Sequence, residues 1–191
     1  MRTLALTVVA FNVTFGAAWS VLVLYAGERL GMGEVGFGML ITAGAVGGLI
    51  GAGCYGWLER HFNLADIMRV GLLIETLTHL SLAVTRSTPV ALLVMVIFGA
   101  HAFVWQTTST TVRQRAVPDH LLGRVSSVYM IGAIGGLVLG APLGGLMARW
   151  WGITGPFWFG FLGSAVLVML LWREFGHIVH SSEDPSTNEA Q

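Results

Sequence analysis

The sequence is poor in the residues that a water-exposed surface needs. Only 10% of its 191 residues are charged, whereas a soluble domain carries about 25%. Lysine is absent, and all ten basic residues are arginine. Ten acidic residues balance them, so no net charge attracts a polyanion such as nucleic acid. These absences exclude a soluble enzyme and a nucleic-acid-binding protein.

Cysteine and catalytic motifs are equally scarce. Cys54 is the single cysteine, which excludes a disulfide framework and a cysteine-cluster metal site. The sequence has no HExxH motif, no serine–histidine–aspartate set and no nucleotide-binding glycine loop. We therefore predict that the protein is not an enzyme and that it uses no cofactor and no metal.

Apolar residues are abundant instead, at 54% of the chain. A helix needs about 20 mostly apolar residues to cross a bilayer. Six such runs predict an all-α, polytopic membrane domain over residues 1–176, followed by a disordered cytoplasmic tail over 177–191. The first to sixth predicted spans are Leu4–Ala26, Val35–Leu58, Ile67–Val84, Val90–Gln106, Val125–Met147 and Ile153–Trp172. The predicted breaks are 27–34, 59–66, 85–89, 107–124 and 148–152.

The arginines predict the orientation, because basic residues favour the cytoplasmic side. Seven fall on one side of the predicted spans and three on the other. The larger group is Arg2, Arg60, Arg69, Arg113, Arg115, Arg124 and Arg173; the smaller is Arg29, Arg86 and Arg149. We therefore expect a multi-pass protein of the inner membrane with both termini in the cytoplasm.

The second and fifth spans share a sequence. Residues 45–50 (AVGGLI) match 133–138 (AIGGLV), and after a slip of one residue the match continues to Arg60 against Arg149. The two arginines fall on opposite sides, so the match predicts two inverted three-helix repeats, as in secondary transporters. A chance alignment of two glycine-rich helices remains the alternative.

Small residues recur every four positions in the same two spans. The stripes are Gly44, Gly48, Ala52 and Gly56, and Gly132, Gly136, Gly140, Gly144 and Ala148. Such stripes allow helix backbones to approach closely. We interpret them as faces for a partner half; packing within one bundle is the alternative.

One cytoplasmic loop identifies a family. Residues 113–125 (RQRAVPDHLLGRV), followed by a glycine-rich helix, resemble exporters of the major facilitator superfamily, in the branch that contains the enterobactin exporter and macrolide efflux proteins. Gly56–Arg60 (GWLER) is similar to the family's loop motif, but Arg60 stands in the place of its aspartate. Residues 136–145 resemble its glycine–proline antiporter motif.

The resemblance implies a fold of twelve helices in two halves, of which this chain matches the C-terminal half. It implies efflux of a small drug-like or siderophore-like molecule, with proton coupling, and a second six-helix half as either a homodimer partner or a separate chain. The alternative is a non-transporting membrane subunit or a truncated half-transporter. The only other expected partner is the lipid bilayer.

Candidate site residues follow from burial and from the resemblance. Glu75 and His79 lie one turn apart near the middle of the third span, where a carboxylate costs about 2.5–3.5 kcal/mol; such residues form proton relays. The structural alternative is that Glu75 only fixes helix packing. The resemblance implies that the first and fourth spans line a substrate cavity with Asn12, Trp19, His101, Trp105, Gln106 and Thr108. Packing between helices is the alternative for the tryptophans.

Two further groups complete the predicted site. For helix packing and gating we expect Gly48, Gly136, Gly140, Pro142, Gly144 and Gly145. For the cytoplasmic loops we expect Gly56, Arg60, Arg113, Arg115, Asp119 and Arg124, with Asp119 as the N-cap of a short helix. The arginines of this second group could bind anionic lipid or form a gate, but positive-inside topology alone explains them.

Overall fold

The computed structural model describes residues 2–171, with the side chains of 2–7, 34, 116 and 171 excepted. The described chain is helical throughout. Its main helices are α1 (Arg2–Ser20), α3 (Gly33–His61), α4 (Leu64–Val84), α5 (Thr88–Ala116), α6 (Asp119–Trp151) and α7 (Gly155–Leu171). A three-residue helix, α2 (Leu22–Leu24), and a π-helical turn (Tyr25–Arg29) follow α1. Trp172, Arg173 and the predicted tail lie outside the described residues.

Hydropathy located the membrane spans. Five stretches are long and apolar enough to cross a bilayer: Val8–Arg29, Val35–His61, Leu64–Val84, Thr88–Arg115 and Asp119–Trp151. The sixth predicted span corresponds to a shorter apolar helix in the described part of the chain, Gly155–Leu170. The prediction of an all-α, multi-pass membrane protein is therefore confirmed for these residues.

The predicted breaks were too long. The loop expected at 107–124 is helical except at Val117 and Pro118. Hydropathy marks the edge of the hydrocarbon, not the end of a helix, and the threonine hydroxyls near this edge donate to carbonyls one turn back, as Thr107 does to Phe103. The chain breaks at Pro118, because proline disfavours helical backbone in the residue before it.

Two further expectations about helix ends need correction. Pro118 is the N-cap of α6, so Asp119 is the first residue of a 33-residue helix and not the cap of a short one. The first span is not one continuous helix either. It is interrupted at Val21 and ends in the π-helical turn.

The π-helical turn anchors the end of α4. The Tyr25 hydroxyl donates to the carbonyl of Leu82 at 2.8 Å, and the Arg29 Nε donates to the carbonyl of Thr85 at 3.0 Å. The last carbonyls of a helix lack partners within it, so these bonds satisfy groups that α4 cannot. This anchoring gives a structural reason for Arg29, one of the three arginines that fall outside the larger group of seven.

Helix pairing follows the small residues. α1 packs along α6, α3 along α5, and α4 lies between α5 and α7, while α7 also contacts α1. A Cβ added at Gly140 would overlap the carbonyl of Val13 in α1. One added at Gly51 would lie 2.5 Å from the carbonyl of Ala100 in α5. The stripe of the fifth span therefore packs on α1 at its buried glycines, whereas α3 approaches α5 closely at Gly47 and Gly51, which lie outside the predicted stripe.

Candidate functional site

The buried carboxyl and imidazole groups of the described helices lie where α4 meets α5 and α7. Glu75 and His79 are one turn apart, so both project from the same face of α4, and they are 2% and 3% exposed. α5 brings His101, at 7% exposed, against them. We call Glu75, His79 and His101 the carboxyl–imidazole cluster.

Glu75 is the centre of this cluster. Its Oε2 lies 3.1 Å from the His101 Nε2, and its Oε1 lies 3.6 Å from the His79 Nδ1. His79 Nδ1 donates to the backbone carbonyl of Glu75 at 2.9 Å, because a carbonyl can only accept. Oε1 is buried and has no hydrogen-bond partner. One oxygen of the Glu75 carboxyl therefore bonds His101, and the other is buried without a hydrogen-bond partner.

Two glycines make room for the imidazole rings. A Cβ added at Gly71, one turn before Glu75, would lie 3.1 Å from the His101 ring and 3.0 Å from Trp105. One added at Gly160 in α7 would overlap the His79 ring. The cluster thus depends on glycines of α4 and α7 that the sequence analysis did not select.

Stacked rings fill the gap between α1 and α5 next to the cluster. Phe15 stacks on Trp19 with centroids 4.9 Å apart, and Trp19 lies 4.6 Å from Phe98. Phe11 stacks on Trp105 at 6.1 Å. We call this set the ring seam: Phe11, Phe15, Trp19, Phe98 and Trp105. Four of its members are only partly buried, so the seam is not fully enclosed by the described helices.

His101 connects the ring seam to the carboxyl. Its ring centroid lies 6.2 Å from that of Phe98 and 6.0 Å from that of Trp105. The structure therefore unites a predicted cavity residue with the predicted proton-coupling residues. Phe11, Phe15 and Phe98 were missed, although Phe11, Phe15 and Trp19 recur every four residues, which places them on one helical face.

The other predicted cavity residues do not converge on one site. Asn12 donates to the carbonyl of Val8 in its own helix. Gln106 is exposed, whereas Thr108 is fully buried and its hydroxyl has no hydrogen-bond partner. An open apolar groove between α3 and α5 includes none of the predicted cavity residues. Its lining includes Val35, Met39, Thr42, Val46, Leu92 and Val96.

The predicted packing residues divide into two groups. Gly136, Gly140 and Gly144 are buried, and any Cβ added there would meet α1. Pro142 and Gly145 are exposed. Gly48 only borders α5, since an added Cβ would lie 3.9 Å from the carbonyl of Gly99. The expectation that the fifth-span stripe faces a partner half was therefore wrong for its buried glycines, because α1 occupies that face.

The arginines predicted for the cytoplasmic loops contact neighbouring side chains and backbone carbonyls. Arg115 pairs with Glu59 of α3 at 3.2 Å, and the Arg113 guanidinium lies 3.9 Å above the Tyr129 ring of α6. Arg60 donates to the carbonyl of Gly56, four residues earlier. Gly56, Asp119 and Arg124 are exposed. Arg113 thus links α5 to α6, and Arg115 links α5 to α3.

The described residues contain no group of three or more metal-ligating side chains arranged to hold a metal ion.

Long apolar helices around a buried ionisable cluster define a polytopic membrane protein. A family model, described as Major Facilitator Superfamily, matches residues 3–190. The chain belongs to this superfamily, whose members are typically transporters rather than enzymes. No curated protein and no solved structure gives a significant match.

Proposed function

We propose that the chain is half of a proton-coupled exporter that moves a small apolar or amphipathic molecule outward across the inner membrane. One observation carries the proposal, the hydrogen bond between Glu75 and His101. It joins a buried carboxyl on α4 to the ring seam between α1 and α5. Proton binding and substrate binding can therefore affect each other through one side chain.

The net charge of the Glu75–His101 pair would change during the proposed transport cycle. With one shared proton the Glu75–His101 pair carries no net charge, which suits a site buried in the bilayer. Without that proton it carries one negative charge, which is costly at that depth. An inward proton gradient would refill the pair, and the return of the neutral state would drive one step of the transport cycle.

The pairing of helices supports the predicted inverted repeat. Exchanging α1, α3 and α4 for α5, α6 and α7 leaves the five main helix pairs unchanged. Gly47 and Gly51 contact α5 one turn apart, and Gly136 and Gly140 contact α1 in the same way. Packing therefore pairs Gly47 with Gly136, whereas the sequence match pairs Gly47 with Gly135. It also pairs Gly51 with Gly140, so that the packing alignment needs no slip of one residue between the two pairs.

A second six-helix unit would complete the pathway, as a second copy or as a separate chain. Trp19 and Trp105 are half-buried on the α1–α5 face, so this chain supplies one wall of a site. Apolar rings with a few polar groups suit a drug-like ligand. A siderophore-like ligand remains within the proposal. The arginine distribution supports cytoplasmic termini.

Glu75→Gln tests the coupling. The amide keeps the shape of the neutral acid but cannot exchange a proton. In inverted vesicles we expect the variant to lose most of the dependence of dye export on an imposed pH gradient. Thr78→Val, also buried on α4, is the matched control and should keep it. If Glu75→Gln is stable and exports with unchanged pH dependence, Glu75 is structural and the coupling proposal is wrong.

A further inference from the structure

Arg113 and Arg115 lie two residues apart near the C-terminal end of α5 but have different surroundings. The Arg115 side chain is 59% exposed and pairs with Glu59. Arg113 is partly buried and makes no ion pair within the part of the chain that the structure describes. A bias of basic residues toward one side of the membrane explains why arginines occur here. It does not explain why one of them is partly buried without an acidic partner.

The Arg113 guanidinium is held in place by three contacts. Its Nη1 donates to the Ser109 hydroxyl at 2.9 Å, and its Nη2 donates to the Thr110 hydroxyl at 3.1 Å. Its Cζ lies 3.9 Å above the centre of the Tyr129 ring. The two hydrogen bonds use two of the five N–H donors of a guanidinium, and a contact with a ring face uses none of them. The remaining donors can therefore bind an anionic group.

Ser109 adds a donor beside the guanidinium. Its side chain is buried, at 8% exposed, and its hydroxyl oxygen accepts from Arg113. The hydroxyl proton has no acceptor among the described residues. Thr110 differs, because its hydroxyl already donates to the carbonyl of Gln106. An anion bound at Arg113 would give the Ser109 proton an acceptor.

These donors lie next to the ring seam. Trp105, Ser109 and Arg113 follow one another at intervals of four residues, so they share one face of α5. Ser109 is about 6 Å along the helix axis from Trp105, and the Arg113 side chain reaches back to Ser109. Phe11 of α1 stacks on Trp105. A ligand can therefore contact the rings and the donors together if about one helical turn separates its aromatic and anionic parts.

We propose that Arg113 and Ser109 bind an anionic group, and that the substrate is an amphipathic aromatic anion, such as an aromatic sulfonate or carboxylate, with its rings at Trp105. This inference names the substrate class of the proposed exporter and rests on that function. The guanidinium pairs with the anionic group, the Ser109 hydroxyl donates to it, and the ring seam binds the apolar body. Ser109 also positions the guanidinium. Arg115 takes no part, because Glu59 already pairs with it.

Two fluorescent probes with one aromatic skeleton test the requirement for charge. Anilinonaphthalene sulfonate carries a sulfonate, and phenylnaphthylamine lacks it. Binding is measured on the full chain in nanodiscs of zwitterionic lipid, with the signal of empty nanodiscs subtracted. We expect Arg113→Gln to lower the affinity for the sulfonate at least about tenfold and to leave that for the amine within about twofold. Arg115→Gln makes the same change of charge and should leave both affinities unchanged. Equal effects of the two variants on the sulfonate, or equal loss of both probes in Arg113→Gln, overturn the inference.

Two milder variants test the geometry of the site. Arg113→Lys keeps the charge but lacks the planar fork, so its affinity for the sulfonate should lie between those of the wild type and Arg113→Gln. Ser109→Ala removes a donor and a support of the guanidinium, and it should weaken sulfonate binding about three- to tenfold without changing amine binding. A merely structural role of Ser109 would change both affinities together.

The phosphate of an anionic lipid has the same chemistry as the proposed anionic group. Nanodiscs that contain phosphatidylglycerol distinguish the two sources. If the site binds the substrate, the added lipid should weaken sulfonate binding by the same factor in the wild type and in Arg113→Gln, because only the surface charge of the membrane has changed. A weakening confined to the wild type would assign the donors to a lipid headgroup and overturn the inference.

Transport assays separate this inference from the proposed function. Sulfonate binding that needs Arg113, without export of the sulfonate in vesicles, would support the site and contradict the exporter. Export of the neutral amine that does not depend on Arg113, with no export of the sulfonate, would leave the exporter and overturn the inference.

Discussion

The α4–α5 contact and the α7–α1 contact use the same packing arrangement with different side chains. In the first, the His101 ring fills the space above Gly71; in the second, Thr14 fills the space above Gly163. His101 continues to a buried carboxyl, whereas the Thr14 hydroxyl donates to the Phe11 carbonyl of its own helix. A helix pair of this kind therefore closes without any ionisable side chain. Such a contact does not require a carboxyl–imidazole cluster in general, and this supports the proposed functional role of the cluster.

The largest expected effect comes from a substitution at the contact between α1 and α6. Gly140→Leu would place a side chain against the backbone of Val13 and Ala17, and such overpacking costs about 3 kcal/mol or more. We expect loss of a monodisperse peak in detergent. Gly145→Leu is the matched control, because Gly145 is exposed and has no neighbour within 4 Å. Equal behaviour of the two variants would contradict the packing of α1 on α6.

A smaller change separates the two contacts. Gly160→Ala would push on His79, and Gly163→Ala would push on Thr14. Each methyl group should lower stability by about 1–3 kcal/mol, measured by thermal unfolding in detergent. Only Gly160→Ala should also change the pH dependence of export. If Gly163→Ala changes it to the same extent, the cluster has no special role in coupling.

A double substitution can make the α4–α5 contact resemble the α7–α1 contact. In Glu75→Leu/His101→Thr the ionisable pair is replaced by side chains of the kind found at the α7–α1 contact. Replacing a buried ion pair by apolar groups is often neutral or stabilising by about 1–4 kcal/mol. We expect a melting temperature at or above that of the wild type, with proton-coupled export lost. A strongly destabilised double variant would mean that the pair is needed for packing.

The smallest effect concerns an exposed ion pair far from the cluster. The side chains of Arg115 and Glu59 are 59% and 36% exposed, and pairs of this kind contribute less than about 1 kcal/mol. Arg115→Gln should therefore shift the melting temperature very little. A double-mutant cycle with Glu59→Gln measures the coupling directly. A larger coupling would show that the C-terminal ends of α3 and α5 depend on this pair.

The sequence allowed prediction of features that depend on local pattern. Hydropathy located the spans, and the spacing of Glu75 and His79 placed both on one face of a helix. It could not show that His101 reaches Glu75, since that contact depends on how α4 and α5 are turned toward each other. It could not show that Gly71 and Gly160 accommodate the imidazoles either. The sequence around a glycine in an apolar helix does not indicate whether that glycine packs against an imidazole ring or faces lipid.

The pairing of α1 with α6 has a consequence for synthesis in the cell. Ser20 of α1 contacts Ala141, 121 residues later, so at 5–20 residues per second α1 waits roughly 6–24 s for its partner. During that time its polar groups are already satisfied, because Asn12 and Thr14 donate to carbonyls of α1 itself. Glu75 finds His101 only 26 residues later, in the next helix. Groups that must wait in lipid are thus bonded within their own helix, and the cluster that needs a neighbouring helix receives it early.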